Sequence, residues 1–120
     1  MSNRDNSIIL KKAFDFAVKI VKFSSQLNNK KHFIISRQLL RSGTSIGANV
    51  NEALAAYSRK DFIYKMMIAL KEAQETDYWL KLIDASEIID DFNFSNFSDD
   101  VIEIQKMLTA IINTSKKNLN

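Results

Sequence analysis

The chain has 120 residues, 46% hydrophobic and 26% charged, which is an ordinary composition for a globular protein with one modest core. The absence of cysteine excludes disulfides, thiolate metal sites and cysteine nucleophiles. No apolar stretch approaches the roughly 20 residues of a membrane span, and the polar start shows no signal peptide, so we expect a cytoplasmic protein with no membrane partner.

Four segments carry apolar residues at three- and four-residue spacing, and they predict helices at about 7–27, 36–57, 58–88 and 98–117. Ser36, Ser58 and Ser98 are the predicted N-caps, because each follows an apolar residue that has an apolar staple partner four positions into the helix. Four amphipathic helices with short connections indicate an all-α, antiparallel up-and-down four-helix bundle that forms a single domain over residues 1–120.

The same spacing predicts the core. The stripe of the first helix runs through Leu10, Ala13, Phe14, Ala17, Ile20, Val21 and Leu27. That of the second helix runs through Leu39, Gly43, Ile46, Val50, Ala53 and Tyr57. Gly43 and Gly47 are the only glycines, and glycine costs a helix about 1 kcal/mol relative to alanine. We therefore expect both glycines to permit close packing inside the bundle.

More apolar surface is present than one bundle core needs. The first helix has a second apolar stripe, the second has a small, uncharged outer face, and the third has aromatic and aliphatic residues opposite its core. The pattern favours a homo-oligomer over the alternative that one stripe covers a long loop. The candidate interface residues are Phe16, Thr44, Ala48, Asn51, Ala55, Tyr64, Ile68, Tyr78, Trp79 and Leu82.

No pattern in the chain predicts catalysis, a metal site or a cofactor. Bundles that bind two iron ions need Glu-x-x-His pairs, but the single histidine, His32, falls in a connection. A serine nucleophile would need a neighbouring base, and none is available on the helices. We expect a structural polar seam instead, in which the carboxylates pair with Arg37, Arg41 or a neighbouring subunit. Its candidate residues are Ser42, Ser45, Asn49, Glu52, Glu72 and Glu75.

The charge is unevenly distributed, although its net value is only +3. Residues 1–41 hold nine Lys or Arg and two acidic residues, whereas the rest of the chain holds eight Lys or Arg and twelve acidic residues. Such asymmetry indicates either a nucleic-acid surface that contacts phosphates, or a basic half that meets an acidic half within or between subunits. The candidate nucleic-acid residues are Lys11, Lys12, Lys19, Lys22, Lys30, Lys31, Arg37 and Arg41.

Two runs of sequence, Gln38 to Ala53 and Asp61 to Leu80, resemble a bacterial four-helix-bundle family. That family is named after reading frames in intervening sequences of 23S ribosomal RNA genes. The matching motif residues are Arg41, Ser45, Ile46, Ala48, Asn49, Glu52, Ala53, Phe62, Ala69, Glu72 and Glu75. The resemblance implies a pentameric ring and no catalytic residue. The related accessory proteins of diversity-generating retroelements are basic pentamers that engage nucleic acid and a reverse transcriptase.

Together these observations predict a non-enzymatic, oligomeric helical scaffold that binds RNA or DNA through a basic surface. The alternative is a protein-interaction module whose ring docks a partner enzyme without touching nucleic acid. A metal-dependent enzyme that uses Glu52, Glu72 and Glu75 is a remote third hypothesis.

Overall fold

The computed structural model describes residues 3–119, with side chains from residue 6 onward. Its regular structure in this range is entirely helical, in four elements: α1 (Asn3–Asn29), α2 (Phe33–Leu54), α3 (Arg59–Ser86) and α4 (Phe94–Lys117). Each helix packs against the next along the chain, and α4 returns to α1, so the four surround one core without diagonal contacts. The predicted all-α four-helix bundle is confirmed.

One of the three predicted N-caps is correct. Ser58 precedes α3, and its hydroxyl oxygen accepts a hydrogen bond from the backbone N–H of Asp61 at 3.1 Å. The prediction for Ser36 is wrong, because α2 begins at Phe33 and the Ser36 hydroxyl donates across the bundle to the carbonyl of Ser24. The prediction for Ser98 is also wrong, because Asn93 caps α4 and Ser98 lies buried within the helix.

The connections between helices are built without glycine. Lys31 and Asp91 have φ values of 66° and 55°, and Glu87, the residue after α3, has a φ of 53°. All three therefore adopt the left-handed conformation that usually favours glycine. His32 joins the two connections at this end of the bundle, since its Nε2 lies 3.1 Å from the carbonyl oxygen of Ile88.

The core differs from the prediction mainly on α1. Phe14 and Val21 were expected inside, but they are 65% and 51% exposed. Ala13, Ile20 and Leu27 are buried as predicted, and Ile9, Phe16 and Phe23 of the neighbouring stripe are buried in place of Phe14 and Val21. Phe16 is 1% exposed, so its prediction as an interface residue is wrong, because the side chain is already enclosed by its own bundle.

The predicted core of α2 is correct except at its end. The side chains of Leu39, Ile46, Val50 and Ala53 are buried, whereas Tyr57 lies beyond the end of the helix and is fully exposed. Tyr57 therefore neither enters the core nor forms the predicted staple with Phe62. The helix ends at Leu54 and the connection to α3 carries this tyrosine into solvent.

The two glycines serve different purposes. Gly43 is buried against α1, and a β-carbon at that position would lie 2.8 Å from Cγ2 of Ile20. At Gly47 a β-carbon would lie 3.6 Å from Ala13, an ordinary van der Waals distance. The expected close packing is confirmed at Gly43 alone.

Candidate interaction surfaces

An apolar groove runs between α1 and α2 on the outside of the bundle. It has a volume of about 720 Å³ and includes Leu10, Phe14 and Ala17 from α1 and Thr44 and Ala48 from α2. Because α2 contributes only small side chains here, the backbone of that helix forms the floor of a wide depression. We call this feature the α1–α2 groove.

A ridge of large side chains follows the outer side of α3. Tyr64, Met67 and Tyr78 are 61%, 46% and 59% exposed, and Leu82 extends the same line toward the end of the helix. These positions recur at helical spacing, so they form one stripe, which Lys71 interrupts midway. We call it the α3 ridge.

The structure sorts the candidate interface residues other than the buried Phe16 into three groups. Thr44, Ala48 and Asn51 line the α1–α2 groove. Tyr64, Tyr78 and Leu82 belong to the exposed α3 ridge. The remaining three are Ala55, exposed just after α2, and Ile68 and Trp79, which are half-buried on α3.

The predicted polar seam divides into bonds that cross from α2 to α3 and bonds that do not. Ser42 lies 2.9 Å from the hydroxyl of Thr76 in a buried pair, and Glu52 approaches Lys65 at 3.8 Å. Ser45 and Asn49 instead donate to carbonyl oxygens of their own helix, at 2.6 and 2.8 Å.

Arg41 is the principal polar link between α2 and α3. Its guanidinium donates to Glu72 at 2.8 Å and also to Glu75, which accepts a further hydrogen bond from the Trp79 indole at 3.1 Å. The Trp79 bond and then the Arg41 bond lower the pKa of Glu75, while the Glu75 bond chiefly raises the pKa of Arg41. Arg41 and Glu75 thus favour each other's charged form, as expected for a structural ion pair.

Sequence reasoning missed two polar contacts inside the bundle. Thr76 was not considered although it falls three residues after Ala73 on the buried face of α3. Ser24 and Ser36 form a buried pair between α1 and α2, with the Ser36 hydroxyl 3.0 Å from the Ser24 carbonyl oxygen. The only available signal was the position of these residues at core spacing, which small hydroxyl residues share with many surface positions.

The proposed basic stripe is partly neutralised by acidic residues. Lys19 donates to Asp100 at 2.6 Å and to the carbonyl oxygen of Asn96 at 2.6 Å, so its ammonium group is occupied. Lys12 pairs with Glu103 at 3.1 Å, and Lys11 pairs with Asp15 on its own helix. The basic front half therefore meets the acidic back half within one subunit, along the seam between α1 and α4.

Four of the eight predicted nucleic-acid residues are still available to contact phosphates. Within the described part of the chain, no ion pair involves Lys22, Lys30, Lys31 or Arg37, whereas Arg41 belongs to the cluster described above. All four are exposed and lie in the half of the α1–α2 hairpin that contains its connecting turn. The structure thus places half of the eight candidate residues in one region, and the other half form ion pairs within the subunit.

Neither a metal centre nor a membrane span is found in the described region. Across residues 3–119, no three His, Cys, Asp or Glu residues are grouped so that they can hold a metal ion. No helix among α1 to α4 has the length and apolar character needed to cross a bilayer.

Comparison with known proteins agrees with the resemblance seen in the sequence. The family model described as "23S rRNA-intervening sequence protein" matches residues 5–110. No curated protein matches the chain. The fold is similar to the crystal structure of a protein of unknown function from the S23 ribosomal protein family of Bacteroides thetaiotaomicron, with a TM-score of 0.86 and 46% identity. That match covers 91% of this chain and 98% of the other. The chain therefore belongs to the 23S rRNA-intervening sequence protein family.

Proposed function

We propose that this protein is a non-enzymatic scaffold that assembles with copies of itself into a closed ring. The observation that carries the proposal is the coexistence of a concave apolar groove and a convex apolar ridge on different faces of one subunit. Each surface groups several apolar side chains together, whereas exposed hydrophobic residues that are scattered singly need no partner.

The arrangement of the two surfaces favours a head-to-tail contact. If the α3 ridge of one copy occupies the α1–α2 groove of the next, the pair still has one free groove and one free ridge for further neighbours. Such heterologous contacts generate a ring when the rotation closes. The small residues Thr44 and Ala48 suit this role, because they leave room for the aromatic side chains of Tyr64 and Tyr78. The family resemblance makes five the expected number of subunits.

The described residues also support a structural rather than a catalytic use of the polar groups. The carboxylates of Glu72 and Glu75 are engaged by Arg41, and Ser42 is buried against Thr76. None of these groups lines the α1–α2 groove. The cytoplasmic location expected from the sequence belongs to the same proposal.

The experiment is to measure the mass of the native protein by light scattering and sedimentation at micromolar concentration. We expect an oligomer, and a mass of five subunits would establish the expected number. Replacement Ala48→Arg places a long cation in the groove and should give a folded monomer, whereas Ala110→Arg on the outer side of α4 should leave the oligomer intact. A monomeric native protein, or equal behaviour of the two variants, would overturn the proposal.

The sequence left two partner classes open, nucleic acid and a partner enzyme. Ion pairing of Lys11, Lys12 and Lys19 removes much of the stripe on α1 that the first class required. That stripe therefore does not support the nucleic-acid class, and a partner protein stays the alternative partner of the ring.

A further inference from the structure

The end of the bundle where α2 is connected to α3 carries a concentration of cations that the distribution along the sequence concealed. Arg59 and Lys60 begin α3, and Lys116 and Lys117 end α4, which runs antiparallel to α3 and therefore finishes at the same end. All four side chains are exposed, and none forms an ion pair within the described residues. They come from the part of the chain whose net charge is negative.

Few acidic groups compensate these cations. Among the residues whose side chains the structure describes, the carboxylates at this end are Asp61, in the first turn of α3, and Glu52, which is paired with Lys65. The opposite end differs, because the α3–α4 connection there contributes Glu87, Asp90 and Asp91. The end where α2 is connected to α3 is therefore the more strongly basic of the two.

Folding gives no reason for the cations at the start of α3. The N-terminus of a helix has a partial positive charge, so Arg59 and Lys60 are placed where a cation is disfavoured. Lys116 and Lys117, at the negative end of α4, are by contrast favourably placed. Cations that work against the helix dipole and have no protein partner are suited to an external anion.

Tyr57 identifies the kind of anion. Its side chain is fully exposed, in the connection two residues before Arg59. A solvated aromatic ring beside unpaired cations is the combination with which proteins hold single-stranded nucleic acid, since the ring stacks on a base and the cations contact phosphates. A duplex hides its base faces and an anionic membrane has none, so neither would use the ring in this way.

A shallow hollow beside this tyrosine has room for polar contacts. It has a volume of about 240 Å³, and Asn6, Ser58 and Arg59 are among its lining residues. The Oδ1 atom of Asn6 is buried and has no hydrogen-bond partner among the described residues. A buried acceptor of this kind is normally satisfied by a donor, and an N–H group of a base is one.

We propose that Tyr57, Arg59 and Lys60, with Lys116 and Lys117, form a binding site for single-stranded nucleic acid at this end of the bundle. The site goes beyond the scaffold function and does not depend on it, because all five residues belong to one subunit. In a ring with rotational symmetry, every copy would present its site on the same side, and weak contacts would add.

The test is fluorescence anisotropy with a short labelled oligo(U), at low and at physiological salt. We expect Tyr57→Ser to weaken binding by roughly 5- to 100-fold and Tyr57→Phe to preserve it. Arg59→Gln and Lys60→Gln should each weaken binding and reduce the salt dependence by about 0.7 in the log–log slope. Lys106→Gln, the same charge change on the outer side of α4, should have little effect.

Several results would overturn the site. They are no binding of oligo(U) at low salt, equal binding of a duplex of the same length, and equal loss in Tyr57→Ser and Tyr57→Phe. Loss of binding in Lys30→Gln with Lys31→Gln, but not in Lys60→Gln, would place the contact at the opposite end and also contradict it. Light scattering on the same samples separates this outcome from failure of assembly, because the Tyr57 and Lys60 variants should keep the native mass.

Discussion

Gly43 of α2 and Ile20 of α1 approach so closely that a β-carbon on the glycine would lie 2.8 Å from Cγ2 of the isoleucine. Carbon atoms pack at about 3.5–4.0 Å, so any larger residue must displace the buried Ile20 side chain. The close approach of α1 and α2 at this point therefore requires glycine at position 43. Four residues later, at Gly47, the helices are far enough apart for a β-carbon.

We expect the two glycines to respond oppositely to alanine. Gly43→Ala should lower the free energy of unfolding by about 1 kcal/mol, because overpacking outweighs the gain in helix propensity, and Gly43→Leu should prevent folding. Gly47→Ala should raise the free energy of unfolding by about 1 kcal/mol. Denaturant titration at one protein concentration measures both. Equal changes in the same direction would contradict the packing described here.

Ser58 and Ser98 provide a second contrast. Ser58→Ala removes the hydroxyl oxygen that accepts from Asp61 N–H, and it should cost about 1 kcal/mol of stability. Ser98→Ala removes no cap, because Ser98 lies inside α4, and it should change stability by less than about 0.5 kcal/mol. The comparison uses thermal unfolding, and a larger loss at Ser98 would show that the start of α4 is misplaced.

Replacing Glu87 with glycine should stabilise the protein. Its φ of 53° places a β-carbon in the left-handed region, which costs other residues energy that glycine does not pay. We expect Glu87→Gly to raise the free energy of unfolding by about 0.5–1 kcal/mol. Ala110→Gly, inside α4, is the control and should lower it by about 1 kcal/mol.

Stability should depend on pH through Glu75. Its pKa is lowered in the folded protein, first by the Trp79 indole and then by Arg41, so the carboxylate stabilises the fold above its ordinary value of 4.5. That contribution is lost as the pH falls below 4.5 through the folded pKa. Glu75→Gln should therefore flatten the decline in melting temperature on acidification. An unchanged acid profile would show that the hydrogen bonds to Glu75 contribute nothing.

Lys19 and Lys22 differ in what they contribute on the same helix. Lys19→Gln breaks the contacts with Asp100 and Asn96 and should cost about 1 kcal/mol, whereas Lys22→Gln should be nearly neutral. Chemical denaturation distinguishes them. If Lys22→Gln were the more destabilising change, the conclusion that Lys22 contributes little to stability would be wrong.

Features of the fold could be predicted from the sequence where a local signal determines them. They could not be predicted where contact with a neighbouring helix determines which side chain is buried or bonded. The start of α3 was predictable because Ser58 and Asp61 supply the cap within four residues. Ser36 was also predicted as a cap, from its apolar neighbours, yet its hydroxyl donates to the carbonyl oxygen of Ser24 on α1. On α1, two apolar stripes of similar size lie side by side, and periodicity does not tell which one faces the other three helices. The choice of Phe16 over Phe14 is made by packing.

The interaction surfaces were likewise predictable from sequence only where a single helix forms them. The small residues of α2, among them Ala48, were recognisable as a special face from composition alone. The groove they line was not, because it also needs Phe14, which had been placed in the core. The basic end was missed for a similar reason: Lys60 and Lys117 are distant in sequence and lie at the same end of the bundle only because α3 and α4 are antiparallel.

The seam between α1 and α4 is closed by charge as much as by apolar packing, with Lys12 and Lys19 reaching Asp100 and Glu103. Salt screens such pairs more than it affects burial. Raising the ionic strength should therefore quicken amide hydrogen exchange in α1 before it does so in α2 or α3. We infer that the bundle opens first along this seam, and that α1, on one side of it, also supplies a wall of the apolar groove.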